Sequence, residues 1–135
     1  MKFKATEVLA DYNDNWVLNI FFSRQQNGEE IYFSIQDAYD REDEQEIALK
    51  QDTYYIELNS QKNGGYGGIK ELELSTESLK IIVNKSGQNS LNLQDNSIEV
   101  SFRLQQKEIE NLKEKINEIF EQEKGERHVN ISYKI

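Results

Sequence analysis

The chain has 135 residues and a formal net charge of −9, because 25 acidic side chains outnumber 16 basic ones. It has no cysteine and one histidine, which excludes disulfides, thiolate metal sites and multi-histidine metal sites. Such an acidic composition argues against a nucleic acid or an anionic membrane as partner and leaves a basic protein as a candidate. The length predicts a single domain over residues 1–135.

Hydropathy gives no sign of a membrane or export segment. No stretch of the sequence approaches 18 consecutive apolar residues, and residues 1–7 lack the apolar run of a signal peptide. We therefore expect a cytoplasmic protein.

Alternating apolar and polar residues predict strands along most of the chain, because a period of two is typical of half-buried strands. In chain order, the strand predictions cover residues 16–23, 31–36, 54–59, 71–75, 79–83 and 98–104. Residues 3–10 and 128–135 show weaker strand patterns. In the first clear strand, Trp16 shares a face with Leu18, Ile20 and Phe22. Asn27-Gly28 and Ser86-Gly87 are expected to form turns, and residues 39–50 fit either a short helix or an ordered loop.

The period changes near the carboxyl end, where residues 105–122 are predicted to form a helix. Its apolar positions recur at helical spacing and form one stripe, made of Ile109, Leu112, Ile116, Ile119 and Phe120. No clear N-cap residue precedes the helix. Several strands followed by a late helix predict an α+β fold, with a mostly antiparallel sheet of about six to eight strands and this long amphipathic helix packed on it.

Negative charge is concentrated in one part of the chain. Residues 37–77 contain 11 acidic and 4 basic side chains, a net charge of −7, and the densest part is residues 37–46, which we call the acidic segment. Arg41 is the only basic residue within it. This segment is interpreted either as a solvated loop or as a docking surface for a basic protein, whose approach its field would accelerate.

Patterns that would indicate catalysis or cofactor binding are not complete in this sequence. A calcium loop starting at Asp40 would place Gln45 and Gln51 where glycine and glutamate are required. The glycine-rich residues 63–68 do not match a phosphate-binding loop, since a strand pattern follows where a helix should begin. We interpret them as a flexible or sharply turning connection between strands. His128 has no serine or cysteine pattern near it, so no catalytic residue, metal or cofactor is predicted.

One face of the 54–59 strand has the composition of a binding surface. Tyr55 and Glu57 lie opposite the core-facing residues Tyr54, Ile56 and Leu58. Tyrosine is enriched at protein interfaces, so this face is interpreted either as a binding surface or as a face that the helix half covers.

The central residues resemble a known family. Residues 52–61 (DTYYIELNSQ) and 64–69 (GGYGGI), together with the acidic run before them and the opening Lys2–Ala5, resemble the tenth family of immunity proteins from bacterial polymorphic toxin systems. The resemblance covers about residues 2–120, and its distinctive part is residues 52–69. It implies a small cytosolic protein that binds and blocks a cognate toxin domain.

These observations favour a non-enzymatic toxin inhibitor, whose acidic surface would suit a basic active site such as that of a nuclease. A small hydrolase or sugar-acting enzyme that uses carboxylates, or a ligand-binding or scaffold module, are the alternatives. The electrostatic part of the predicted toxin-binding site consists of Asp40, Glu42, Asp43, Glu44 and Glu46. Its predicted anchors are Tyr55, Glu57 and Tyr66.

Overall fold

A computed structural model describes residues 1–135, except for the side chain of Gln26. The described chain forms ten strands, three α-helices and one 3₁₀ turn. In order they are β1 (Lys2–Lys4), β2 (Glu7–Tyr12), β3 (Leu18–Gln26), β4 (Glu29–Gln36), α1 (Glu44–Ala48), β5 (Tyr55–Leu58), β6 (Ser60–Tyr66), β7 (Ile69–Ser75), β8 (Ser78–Val83), α2 (Lys85–Ser90), β9 (Ser97–Ser101), α3 (Gln106–Phe120), the 3₁₀ turn (Gly125–Arg127) and β10 (Asn130–Lys134).

The strands form two five-stranded sheets. Sheet I has the order β2-β3-β4-β5-β6, and all its pairings are antiparallel. Sheet II has the order β1-β9-β8-β7-β10, in which β1 pairs with β9 and β10 with β7 in parallel. The predicted α+β class, the mostly antiparallel pairing and the late helix are confirmed. The predicted number of six to eight strands differs from the ten observed.

The chain crosses between the sheets at two points, and these crossings account for the extra strands. The predicted strand at residues 3–10 is divided, since the Ala5 N–H donates to Ser101 in sheet II and the Thr6 N–H donates to Ser23 in sheet I, each at 2.8 Å. Residues 60–66 pair with β5 as a strand, and only Gly67 and Gly68, with φ of 73° and 98°, make the expected sharp turn into β7.

Ser86-Gly87 does not form the expected turn, because Asn84 caps a short helix at this point. These residues lie inside α2, whose N-cap Asn84 accepts a hydrogen bond from the Gly87 N–H at 2.9 Å. A Cβ on Gly87 would lie 2.6 Å from the carbonyl oxygen of Gly68. The glycine therefore lets α2 pack directly against the crossing between β6 and β7.

The helix α3 confirms the prediction for residues 105–122 and closes the space between the sheets. Its apolar stripe is buried in a core cluster that also contains inward-facing residues of both sheets. Asn111 donates to the Ala10 carbonyl of edge strand β2 at 3.1 Å, and the Tyr133 hydroxyl of edge strand β10 donates to Asn117 at 2.6 Å. The α3 N-terminus has a cap that the sequence search missed, in which the Gln105 N–H donates to the Glu108 carboxylate at 2.9 Å.

Trp16 does not join the core face on which the sequence pattern placed it. Strand β3 begins only at Leu18, and Trp16 has a φ of 61° and is 84% exposed. The Asn13 side chain accepts hydrogen bonds from the N–H groups of Asn15 and Val17 at 2.9 and 3.1 Å. These bonds close a turn before the alternation can extend back to Trp16, so the indole points away from the core.

Arg41 fastens the acidic segment to the end of α3. Its guanidinium donates to the buried carboxylate of Glu123 at 2.9 Å and to Asp37 at 2.7 Å. The Thr53 hydroxyl donates to the same Glu123 oxygen at 2.5 Å, and Glu123 is only 4% exposed. Arg41 is therefore committed to an internal network and does not offset the charge of the exposed carboxylates around it.

We expect Arg41→Ala to lower the free energy of unfolding by about 3 kcal/mol, because the substitution leaves the Glu123 carboxylate buried without its guanidinium. Urea denaturation followed by circular dichroism measures this loss. Arg103→Ala is the matched control, since Arg103 is exposed and forms no ion pair with any described residue, and it should change the free energy by less than about 0.5 kcal/mol. Equal effects of the two substitutions would contradict the structural role given to Arg41.

Candidate functional site

The outer face of sheet I is the candidate functional surface. The register places Tyr55 beside Gln36 and Tyr66, and Glu57 beside Ser34 and Gly64, on the face opposite the buried Ile56 and Leu58. The expected orientation of Tyr55 and Glu57 is therefore observed. The helix α3 packs on the inner side, where Phe120 contacts the Tyr54 ring at 4.9 Å between centroids, so it does not cover this face.

A concave pocket of about 410 Å³ lies where β4 ends and β5 begins. Three tyrosines and three carboxylates line it, and no lysine or arginine does. We call it the tyrosine pocket, and its lining consists of Gln36, Asp37, Ala38, Tyr39, Glu46, Gln51, Tyr55, Glu57, Gln61 and Tyr66. Its aromatic walls and negative charge are suited to a cationic side chain, which tyrosine faces and carboxylates both attract.

Glu57 is held in place by two phenol groups. The Tyr32 hydroxyl donates to one carboxylate oxygen at 2.6 Å, and the Tyr55 hydroxyl donates to the other at 3.0 Å. Burial, and then the hydrogen bond to Glu57, raise the pKa of Tyr32 and of Tyr55 to about 12. Both phenols are therefore protonated donors at neutral pH.

Ring packing and a glycine fix the position of Tyr55. Its ring lies 5.2 Å from that of Tyr66 on the neighbouring strand. A Cβ on Gly64 would collide with the Tyr55 hydroxyl, so a side chain at position 64 would push the ring off its place over β6. The glycine-rich stretch thus has a packing role that its sequence did not indicate.

The structure brings together four of the eight predicted site residues. Glu46, Tyr55, Glu57 and Tyr66 line the tyrosine pocket. The other four do not reach it and lie exposed in the segment beside it, and they are Asp40, Glu42, Asp43 and Glu44.

The acidic segment is ordered by its own side chains. Asp43 caps the short helix α1 by accepting from the Glu46 N–H at 3.0 Å, which resolves the ambiguity at residues 39–50. Asp40 accepts from the Glu42 N–H at 2.9 Å. The segment therefore presents its exposed carboxylates from a defined backbone.

Six lining residues of the pocket were not among the predicted site residues, and Tyr39 and Asp37 are the two that add an aromatic ring and a carboxylate. Tyr39 is 73% exposed, and Asp37 lies at the end of β4 with its carboxylate bound to Arg41. An aromatic residue inside a charged run is a signal that could have identified Tyr39, because such a residue has no core partner in its neighbourhood.

The outer face of sheet II differs from this site. There Glu99 pairs with Lys2 at 3.3 Å and with Lys80 at 3.6 Å, so this carboxylate is neutralised by neighbouring surface lysines. No group of three or more metal-ligating side chains occurs among the residues whose side chains are described. None of the helices in the described chain is long and apolar enough to cross a membrane.

We expect Glu57→Gln to lower the pKa of Tyr32 and Tyr55 from about 12, because it removes the negative charge beside both phenols, while burial, the larger cause, continues to raise both pKa values. An absorbance titration of ionised tyrosine measures this shift. Tyr133 is an internal control, since burial alone raises its pKa to about 12 and Glu57 does not contact it.

The same pKa shifts have a consequence for stability with a definite sign. Below pH 10 the Tyr32 and Tyr55 phenols are protonated in both the folded and the unfolded chain, and their full contribution to the free energy of unfolding is present. That contribution is lost as pH rises from 10 to about 12, because the unfolded chain releases these protons first. The free energy of unfolding should therefore fall less steeply between pH 10 and about 12 in Glu57→Gln than in the parent protein. Unchanged tyrosine titration in the variant would contradict the described geometry.

Comparison with known proteins places this surface in a family context. The family model described as Immunity protein 10 matches residues 4–110, a range that contains the whole tyrosine pocket and the acidic segment. No curated protein and no solved structure gives a significant match. Since the family model covers well over half of the sequence, this chain belongs to the Immunity protein 10 family.

Proposed function

We propose that this protein neutralises a cognate bacterial toxin domain by binding it, without catalysis, in the cytoplasm of the producing cell. All 135 residues act as one domain in this proposal. The observation that carries it is the acidic, tyrosine-lined pocket on the uncovered face of sheet I, in a chain that belongs to an immunity protein family.

The distribution of charge supports a basic partner. Four carboxylates of the acidic segment are exposed beside the pocket, and Arg41 is occupied by Asp37 and Glu123. Exposed charges of one sign accelerate the approach of a partner of the opposite sign. A nucleic-acid-cleaving toxin fits this requirement, because such an enzyme needs a basic surface to hold phosphates.

The pocket supports the division of the surface into steering and anchoring parts. Tyr55 and Tyr66 pack ring against ring and line the concavity, and tyrosine is one of the residue types that dominate binding energy at interfaces. We therefore assign Tyr55, Glu57 and Tyr66 as anchors. The exposed carboxylates act mainly on the rate of association.

A hydrolytic role for the pocket has less support. Two of its three carboxylates are already committed to internal partners, since Asp37 accepts from Arg41 and Glu57 accepts from two phenols. A general acid or base must exchange a proton with substrate, and groups held in this way are poorly placed to do so.

The proposal predicts a toxin gene immediately upstream, and it is tested with the toxin domain that this gene encodes. Co-expression of this protein should restore growth to cells that express that domain, and the purified pair should form a stable complex. Absence of an upstream toxin gene, or failure of the two proteins to associate, would contradict the proposal.

The charge assignment predicts a kinetic effect. Changing Glu42→Gln, Asp43→Asn and Glu44→Gln together should slow association about tenfold at low salt and flatten its salt dependence, with little change in dissociation. Asparagine at position 43 retains the cap of α1. Surface plasmon resonance over a series of salt concentrations measures both rates.

A matched triple variant distinguishes local from overall charge. Glu71→Gln, Glu73→Gln and Glu77→Gln remove the same charge from the region of sheet II, where none of the three forms an ion pair with a described residue. This variant should associate nearly as fast as the parent protein. If the first triple variant associates at the parent rate, the acidic segment is only a solvated loop.

A further inference from the structure

Trp16 is the chain's only tryptophan, and its indole is the most exposed of the large apolar side chains that the structure describes. It is 84% exposed and has a φ of 61°, in the left-handed region that tryptophan seldom adopts. Both the exposure and the backbone conformation are unfavourable for the isolated molecule. Nothing in the core gains from this placement, since the side chain points away from it.

The turn that presents Trp16 is built to hold it. The Asn13 backbone N–H donates to Val17 at 2.9 Å, and the Trp16 N–H donates to the Asn13 carbonyl at 2.9 Å. The Asn13 side chain adds the two further bonds to Asn15 and Val17. The indole thus projects from a closed, hydrogen-bonded turn, which lowers the entropy that a partner's binding would cost.

Trp16 lies at the same end of sheet I as the tyrosine pocket. The Asp37 N–H donates to the Leu18 carbonyl at 2.9 Å, so the chain that enters the acidic segment passes two residues from Trp16. Two strand spacings, about 10 Å, separate β3 from β5. An interface of ordinary size, about 800 Å² on each partner, covers that distance.

The charge around the turn matches that of the pocket. Residues 11–16 contain Asp11 and Asp14 and no basic side chain. The helix α3 brings Lys115 to 5.7 Å from the Tyr12 ring, where its ammonium is paired with Glu114 and Glu118. A basic partner that approaches the acidic segment therefore meets a net negative charge here as well. The face of an exposed indole attracts a guanidinium or ammonium group.

We propose that Trp16 is a second anchor for the same basic toxin domain, and that its indole stacks against an arginine or lysine side chain of that domain. This inference rests on the proposed function and extends the toxin-binding surface from β5 and β6 to the turn between β2 and β3. The pocket and the indole hold the toxin at two separate points.

Because there is one tryptophan, the protein can be labelled with 5-fluorotryptophan at this position alone and titrated with the unlabelled upstream toxin domain. The chemical shift of the single fluorine resonance should change on complex formation. The difference in this chemical shift between H₂O and D₂O should disappear, because the indole is then shielded from solvent. Trp16→Ala should weaken the complex at least 30-fold, about the effect of a hot-spot residue, mainly through faster dissociation.

Two further variants make the outcome specific. Ile135→Ala removes an exposed apolar side chain that follows β10, an edge strand of sheet II, and should leave affinity unchanged. Trp16→Leu retains apolar area without an aromatic face and should weaken binding nearly as much as Trp16→Ala. If Trp16→Leu binds with the affinity of the parent protein, the proposed cation–π contact is wrong.

The proposal and its premise fail in different ways. A wild-type complex whose fluorine resonance does not move, or a Trp16→Ala variant with parent affinity, overturns the role of Trp16 and leaves the proposed function standing. No complex between the parent protein and the toxin domain overturns the proposed function itself. Unfolding transitions of all variants should coincide with that of the parent, since Trp16 makes no core contact.

Discussion

Burial of the α3 stripe is the constraint on which the rest of the architecture depends. Two five-stranded sheets share one core, and the edges of that core at β2 and β10 would be open without a helix between them. The helix is held by side-chain hydrogen bonds to both edge strands, and its apolar residues fill the gap. Because the one long helix is used inside, it does not cover the outer face of sheet I.

An internal ion-pair network, and not a set of neighbouring surface cations, holds the acidic segment in place. Arg41 reaches Asp37 at one end and Glu123 at the other, and the backbone between residues 40 and 46 is fixed by Asp40 and Asp43. The side chains that hold the acidic segment in place are therefore different from most of those that give it its exposed negative charge. The internal network holds the segment, and its exposed carboxylates are left unneutralised.

The spacing of apolar residues along the sequence predicted the long helix and the outward-facing side chains of β5. The helix predicted at 105–122 and the predicted outward direction of Tyr55 and Glu57 follow from residue periods of 3.6 and 2, and the structure confirms both. Trp16 fits the strand alternation in the sequence, but it lies outside the strand because the Asn13 side chain closes a turn there. The alternation pattern does not show these hydrogen bonds. The role of Gly64 was also hidden, because it depends on the ring of a residue on the adjacent strand.

The two parallel pairings impose an order on folding. Sheet I is built from residues 7–66 by successive antiparallel neighbours, whereas sheet II needs β1 beside β9 and β10 beside β7, which join the ends of the chain to its middle and later parts. Contacts that are close in sequence form faster than distant ones. All the strands of the sheet that bears the pocket have therefore been synthesised while about half of the chain is still unmade, and sheet II reaches its full width only once the last strand has been synthesised.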